Sequence, residues 1–599
     1  MQRKRQERID EASAMTEKTN EIMGLDAEAI ERFQKWTELA GRGQQMMMEF
    51  WTRETDMLPT PDPLGMIGTW QRAMGAWMSD PAKLMDLQSR YMTDTMAMWQ
   101  SFLVPGQASS PVAETRDKRF AGDAWRETPA FDFLRQSYLL ASNYMLEASH
   151  QLEGLEPKEQ ARARFLVKQF VDAMSPSNFA LTNPEVMTAT IASGGANLMK
   201  GLEHLLDDLK QGRMKMTDES AFEVGRNVAA TPGRVVYENR LFQLIQYAPT
   251  TETVHETPLL VFPPWINKFY ILDLTPEKSF IRWSVEQGLT VFLVSWKSAD
   301  ESTADVTLDH YVEEGMFTAI DEVRRLCKVE AVHTIGYCVA GTTLAAALAV
   351  MAARGEAKKV ASATFFTAQV DMSECGDLGV FIDDSVLETL ARLTAEKPWL
   401  DGRNMALTFN MLRSNDLIWN YVVNNYLMGK DYFPFDLLYW NSDATNVPAL
   451  WHREYLETIY RDNLLVKPGG ITCLGVPIDL TNVSTPSYIQ GGKEDHIAPA
   501  PSAYKLTRHF KGEKRYVLAG SGHIAGVVNP PSAKKYGYWT NEALPETFEA
   551  FVAGATEHKG SWWPDWQAWL APRSGKQVPA RKPAKGIEAA PGRYVRERI

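Results

Sequence analysis

The sequence predicts an α/β protein, a largely parallel sheet with helices on both faces, preceded by an all-helical N-terminal domain. Three observations predict it. From Arg234 onward, short strand-type apolar runs alternate with helical stretches, the pattern of a sheet covered on both faces. Before that point the chain reads as helices rich in methionine and tryptophan. In between the later runs, Thr334 to Thr342 joins an apolar segment, Val329 to Ile335, to an alanine-rich one, Leu344 to Ala353. That is a strand, a sharp turn and a helix.

Composition bounds the answer. At 599 residues the chain is too long for one ordinary core and predicts two or more domains. With 45% hydrophobic and 23% charged residues it is of ordinary globular type. The net charge of −12 gives no global reason to expect nucleic acid as a partner. The start, Met1 to Arg8, is basic but is followed by no apolar segment, so a secretory signal is not expected. No apolar run approaches the ~20 residues that span a bilayer. Cys327, Cys338, Cys375 and Cys473 show neither paired nor metal-ligand spacing, which suits a reducing cytoplasm. Neither a metal site nor a cofactor is expected.

Taken in order, residues 1–103 form a Met/Trp-rich helical region. It includes Met46-Met47-Met48, and Trp70, Met74, Trp77 and Met78 at helical spacing. Two readings stay open for that face, a packed helical core and an adaptable apolar surface. Val104 to Pro111 is a linker by composition. A second helical domain occupies 116–220, broken at Ser175-Pro176 and Thr182-Asn183-Pro184. Strands then begin with Arg234–Tyr237 and Phe242–Tyr247, opening a catalytic domain over 221–572. Further strands are expected at Leu259–Val261, Thr290–Val294, Val332–Ile335 and Ala361–Phe366. Residues 371–480, dense in aromatics, are expected to form a cap over the turn at Cys338. The tail, 573–599, carries eight Lys/Arg against two Glu. A flexible end is expected there, with docking at Tyr594-Val595 as the alternative.

The chemistry begins at Cys338. Gly336-Tyr337-Cys338-Val339-Ala340-Gly341 has the small residues a strained strand-to-helix turn needs around a nucleophile. Taken alone this stretch could equally be a turn packed on a helix. Two later strands settle the balance. Ser484 to Gln490 runs into Gly491 to Pro499, delivering Asp495, and Lys514 to Leu518 runs into Ala519 to His523. Nucleophile, acid and histidine in this chain order, each after a strand, mark the α/β-hydrolase fold. His496, beside Asp495, is a candidate supporting residue. His333 reads as a satisfied core histidine.

The residues also carry a resemblance. Asn227 to Gly233, Asn239 to Tyr247, Pro263 to Leu274, the Cys338 turn, Phe435 to Asp443, Glu494 to Ile497 and Gly522 to Gly526 are similar to segments of class I polyhydroxyalkanoate synthases. The similarity spans nearly the whole chain. Tyr337 and Val339 resemble the short-chain branch. Ala340 departs from the family's usual closing pair of glycines, and is tolerable only if its φ stays below zero. The resemblance implies Cys338 as nucleophile, His523 as general base and Asp495 as triad carboxylate. It implies oxyanion donors at the backbone N–H of Val339 and Ile271, a recurrent but unassigned Asp273, and a dimer contact at Trp440. The implied reaction polymerises (R)-3-hydroxyacyl-coenzyme A, mainly (R)-3-hydroxybutyryl-coenzyme A, with coenzyme A as leaving group. The implied setting is cytoplasmic, a homodimer at the polyester granule surface with granule-associated proteins.

A thiol at this position favours acyl transfer, because a thioester exchanged for a thioester keeps the acyl group activated. Two other functions remain open on sequence. One is a cysteine thioesterase or dienelactone-hydrolase-like enzyme, which would form the same acyl-enzyme. The other is a non-catalytic granule coat, which the amphipathic N-terminal third suits.

Overall fold

The computed structural model describes residues 66–103, 110–112, 117–150, 152, 154–583 and 586–599. Met46-Met47-Met48, the basic start and most of the expected linker lie outside the described residues.

The N-terminal described part is helical: α1 (Met66–Ser79), α2 (Pro81–Leu103), α3 (Pro129–His150), α4 (Pro157–Ala173), α5 (Pro184–Ala192) and α6 (Ala196–Gln211). Asn183 starts α5 by accepting from the N–H groups of Glu185 and Val186, the capping expected of Asn before Pro. Gly212, at φ 65°, ends α6. The expected shared face of α1 divides in two. Trp70 and Trp77 turn inward, Trp70 against Phe170 of α4 and Trp77 donating to the Ala148 carbonyl of α3. Met74 and Met78 are exposed. At about 100° per residue they sit roughly 40° and 80° round from Trp70, on the flank away from Ala73. The face is therefore part core and part surface.

The catalytic domain is built on an 11-stranded sheet. Its strands are β1 (Gly233–Glu238), β2 (Phe242–Tyr247), β3 (Leu259–Phe262), β4 (Val291–Trp296), β5 (Val332–Tyr337), β6 (Val360–Phe366), β7 (Ser487–Gly492), β8 (Lys514–Ala519), β9 (Gly537–Thr540), β10 (Thr556–Lys559) and β11 (Glu588–Ala589). Across the sheet the order is β10-β9-β8-β7-β6-β5-β3-β4-β2-β1-β11. The six from β4 to β8 in that order are parallel, and the flanking pairs are antiparallel. The central parallel strands β3, β4 and β5 are buried at every residue, so they read as continuous apolar runs rather than alternating ones.

Register decides where the loops emerge. Phe262 lies opposite Gly336, Tyr337 opposite Phe366, and Gly492 opposite Ala519. Cys338, Asp495 and His523 each follow one of these carboxyl ends, so all three gather along one edge of the sheet.

Between β6 and β7 the chain leaves the sheet. It forms α8 (Asp384–Leu393), α9 (Gly402–Leu412), α10 (Asp436–Ser442) and α12 (Ala449–Glu454) with intervening turns, while α7 (Thr318–Cys327) and α11 (Val339–Ala353) flank β5 in the chain. The N-terminal helices brace this layer. Phe165 of α4 meets Phe381 edge-on with centroids 5.0 Å apart. A Cβ on Gly201 of α6 would stand 1.7 Å from the Tyr426 carbonyl oxygen, so only glycine permits that approach.

The C-terminal segment departs from the flexible end expected. Gln577–Pro579 pairs with Thr253–His255, and β11 pairs with β1. Tyr594 and Val595 are buried, and the Lys268 ammonium donates to the carbonyls of Val595 and Glu597. The basic residues are used in contacts: Arg593 pairs with Glu238 and Glu588. Their charge suggests a solvated tail, but Glu238, far away in the chain, and Glu588, within the tail, hold Arg593 in place.

Candidate active site

Cys338 sits at φ 52°, ψ −126° between β5 and the elbow helix α11 (Val339–Ala353). The left-handed backbone is strained for a residue with a Cβ. Gly336 and Gly341 make the turn possible: a Cβ on Gly341 would stand 2.4 Å from the Ala368 Cβ, and one on Gly336 2.6 Å from the Gly341 Cα. Ala340 lies inside α11, is fully buried and is not among the positive-φ residues, so the condition on its methyl is met. As N-cap of a fifteen-residue helix, the sulfur stands where the helix dipole favours negative charge.

The Asp495 carboxylate is anchored on both oxygens. Oδ1 accepts from the N–H groups of Ile497 (2.8 Å) and Ala498 (2.9 Å), and Oδ2 is 2.7 Å from His523 Nδ1. That leaves Nε2 of His523 toward Cys338. Burial opposes charging of the His523 imidazole, but the Asp495 carboxylate and the Cys338 sulfur, with their hydrogen bonds, outweigh it and raise His523 well above the ordinary range. Tyr337, the residue before Cys338, donates its hydroxyl to the His523 carbonyl (3.2 Å). Its side chain therefore ties the histidine loop to the elbow.

Two cavities meet at Cys338. One, of about 240 Å³, is lined almost wholly by apolar groups such as Trp265, Val339, Phe381, Leu390, Met405 and Tyr460. The other, of about 220 Å³, is lined by Asn267, Arg413, Trp440, Asn441, His496 and His523 among others. Cys338, Ile266, Phe409 and Ile497 border both. His496 thus faces the same space as Cys338 and His523. Burial lowers its pKa more than neighbouring Asp495 raises it.

Three expected residues sit otherwise. Ile271 is fully buried in a 3₁₀ turn, Phe269–Leu272, and borders neither cavity. Ile266, nearer the end of β3, borders both. A local signal for it exists in the sequence: Pro263 and Pro264 carry no N–H, so Trp265 and Ile266 supply the first donors beyond the strand. Asp273 is also buried away from the cavities. It accepts from Thr231 Oγ1 (2.5 Å) and Ser279 Oγ (2.6 Å), with burial raising its pKa, and so ties two loops together. Trp440 is 5% exposed and donates to the Lys268 carbonyl (2.7 Å). It holds the loop after β3.

That loop is fastened by several groups. Trp296 Nε1 donates to the Pro263 carbonyl (2.8 Å), and Trp265 Nε1 to Thr343 Oγ1 of α11 (3.2 Å). His333, by contrast, is a satisfied core residue, bonded to Ser362 Oγ (2.8 Å) and Ser574 Oγ (3.1 Å). Among the described residues no group of three His, Cys, Asp or Glu is arranged to hold a metal. No described helix is long and apolar enough to cross a membrane.

Comparison with known proteins agrees with this architecture. Residues 116–284 match the family model of the poly-beta-hydroxybutyrate polymerase (PhaC) N-terminus, and residues 262–530 match that of the alpha/beta hydrolase fold. A poly(3-hydroxyalkanoate) polymerase subunit PhaC of Cupriavidus necator is 48% identical over 86% of this chain and 89% of its own. The chain belongs to the poly(3-hydroxyalkanoate) polymerases. Two further members of the family are similar over comparable lengths. A poly(3-hydroxyalkanoate) polymerase of Methylorubrum extorquens is 47% identical over 89% of this chain and 90% of its own. A polymerase subunit PhaC of Rhizobium meliloti is 45% identical over 89% of both. The family is one of acyltransferases, and the fold is that of the α/β hydrolases.

Proposed function

We propose that this chain is a class I polymerase that joins (R)-3-hydroxyacyl-coenzyme A units, mainly (R)-3-hydroxybutyryl-coenzyme A, into polyester through a thioester on Cys338. One observation carries the reading: a strained cysteine beside a buried histidine–aspartate pair, at the junction of two cavities, one almost wholly apolar and one that also carries Arg413, Asn441 and His496.

His523 takes the thiol proton while Asp495 fixes its tautomer and stabilises the imidazolium. The thiolate attacks the substrate thioester carbonyl. The N–H of Val339, in the first helical turn where such groups lack intrahelical partners, meets the developing oxyanion together with that of Ile266. In other enzymes one such donor is worth about 2.7–4 kcal/mol of barrier. Coenzyme A leaves as its thiol with the proton returned by His523, and the acyl group stays on sulfur. His523 then removes the proton of the 3-hydroxyl of a second unit. The resulting alkoxide attacks the stored acyl group, the bond from its carbonyl to the Cys338 sulfur breaks, and the sulfur recovers its proton from His523. The chain, one unit longer, then ends on the second unit's coenzyme A thioester and can reload Cys338 with loss of coenzyme A. Water would compete at this step, and the apolar wall opposes its entry.

Arg413, Asn441 and His496 suit the cavity that receives the coenzyme A end, and the apolar cavity suits the polyester. The reaction requires no cofactor. The same reading assigns the enzyme to the cytoplasm, as a homodimer at the surface of its product among granule-associated proteins.

The test supplies purified chain with (R)-3-hydroxybutyryl-coenzyme A and follows free coenzyme A and product together. Insoluble polyester, abolished by Cys338→Ala, is expected. Free 3-hydroxybutyrate in its place would make the chain a thioesterase. Coenzyme A release persisting in Cys338→Ala would remove the cysteine from the mechanism.

A further inference from the structure

The apolar cavity holds one polar group that the reaction above leaves unused. His452 lies in α12, is 9% exposed and borders the cavity together with Cys338. Its ring nitrogens make no hydrogen bond among the described residues. The other polar side chains deep in that wall have partners: Thr389 Oγ1 donates to the Ser385 carbonyl, Tyr455 to Thr342 Oγ1, and Tyr460 to Gln369 Oε1 (3.5 Å). Asn404 stands at the exposed rim. Burial pushes His452 down to about 4, so its ring stays neutral. A neutral imidazole always keeps one N–H donor.

Its setting is rigid. The adjacent Trp451 and nearby Tyr455 pack against Trp265, tilted and edge-on, with centroid distances of 5.6 and 5.3 Å. The cavity wall also includes Leu393 and Leu407, both exposed, so the space joins Cys338 to the outer face of the α8–α9 layer. A polyester of 3-hydroxyacyl units is an apolar strand with one ester carbonyl per unit. Inside an apolar channel those carbonyls are cut off from water, and each seeks a donor.

We infer that His452 binds the growing polyester, donating a hydrogen bond from its ring N–H to an ester carbonyl of the chain held in the apolar cavity. The inference rests on the proposed polymerisation. It makes His452 a residue of elongation more than of first acylation, since the first acyl group brings no ester carbonyl.

The test compares the full-length native chain with His452→Leu and His452→Gln on (R)-3-hydroxybutyryl-coenzyme A. Burst and steady-state coenzyme A release are recorded with polymer mass. For the Leu variant, polymer mass and the ratio of steady-state to burst release should fall about three- to tenfold, the size of one neutral hydrogen bond. Gln, which restores a donor, should recover most of both. Unchanged mass in the Leu variant, a burst lost as fully as the steady state, or a Gln variant no better than Leu would each overturn the inference. Circular dichroism checks folding, and His452→Met replaces the Leu variant if the latter does not fold. A native chain that makes no polymer at all would instead overturn the proposed function beneath it.

Discussion

The sharpest division of labour in the site lies within one side chain, the carboxylate of Asp495. Its Oδ1 is saturated by two backbone N–H groups, while Oδ2 alone faces His523. Asp495→Asn therefore keeps the loop's acceptor but turns the histidine tautomer. Coenzyme A release should drop by about 10³- to 10⁴-fold, as it does when other triads lose their carboxylate, with the thermal midpoint nearly unmoved. Stopped-flow release at saturating substrate measures it, and a loss below tenfold would show that Asp495 does not orient His523. At this scale the triad was legible, because chain order and loop position survive in the letters. Ile266 was not, because which N–H borders a cavity depends on how the loop after β3 is tied by Trp296, Trp265 and Trp440. Asp273 was read only as recurrent; its partners, Thr231 and Ser279, assign it to loop fastening.

Among elements, β5 does two things at once, leading into Cys338 at one end and carrying a buried histidine near the other. His333 is fully buried and bonded to Ser362 and Ser574. Burial lowers its pKa from 6.5 to about 3. In that interval the unfolded chain binds a proton that the folded one refuses, so stability rises with pH there. Its contribution is complete above the unfolded value of 6.5 and is lost as pH falls toward 3. His333→Gln should lower stability at pH 7.5 while flattening the acid slope between pH 6 and 4 by up to about 1.4 kcal/mol per pH unit. Urea titrations at three pH values distinguish the two, and an unaltered slope would show that His333 titrates alike folded and unfolded. Strands β1 to β6 and β8 were legible to within two residues and β7 to within three, since most are buried apolar runs. The short antiparallel edge strands β9, β10 and β11 were not, because they are largely unburied and carry no such run. The division of α1 was not, because only about 60° of rotation separates Trp77 from Met74, and no pattern of apolar letters distinguishes a facing from a flanking position.

In the whole molecule, the last residues act as a strap across the far edge of the sheet. β11 covers β1, Tyr594 and Val595 are buried, and the Lys268 ammonium closes on two carbonyls of the tail. Lys268 belongs to the loop that also brings Ile266 to the cavities. A chain ending at Arg581 should lose about 3 kcal/mol or more, from two large side chains no longer buried. It should expose β1 as an unpaired edge prone to association. Its rate should fall by about 10- to 100-fold if the loop shifts. Thermal melts, light scattering and coenzyme A release read these effects, and an unchanged midpoint and rate would dismiss the strap. The sequence by itself determined the fold class and the chain order of Cys338, Asp495 and His523, which rest on periodicity and local turns, and the family, which rests on the similarity of whole segments. Only the tertiary structure decided which loop residues border the cavities, that Trp440 is buried within the chain, and that the basic tail is docked. Each of those depends on partners far away in the chain, and no local pattern encodes a contact between residues more than a hundred positions apart.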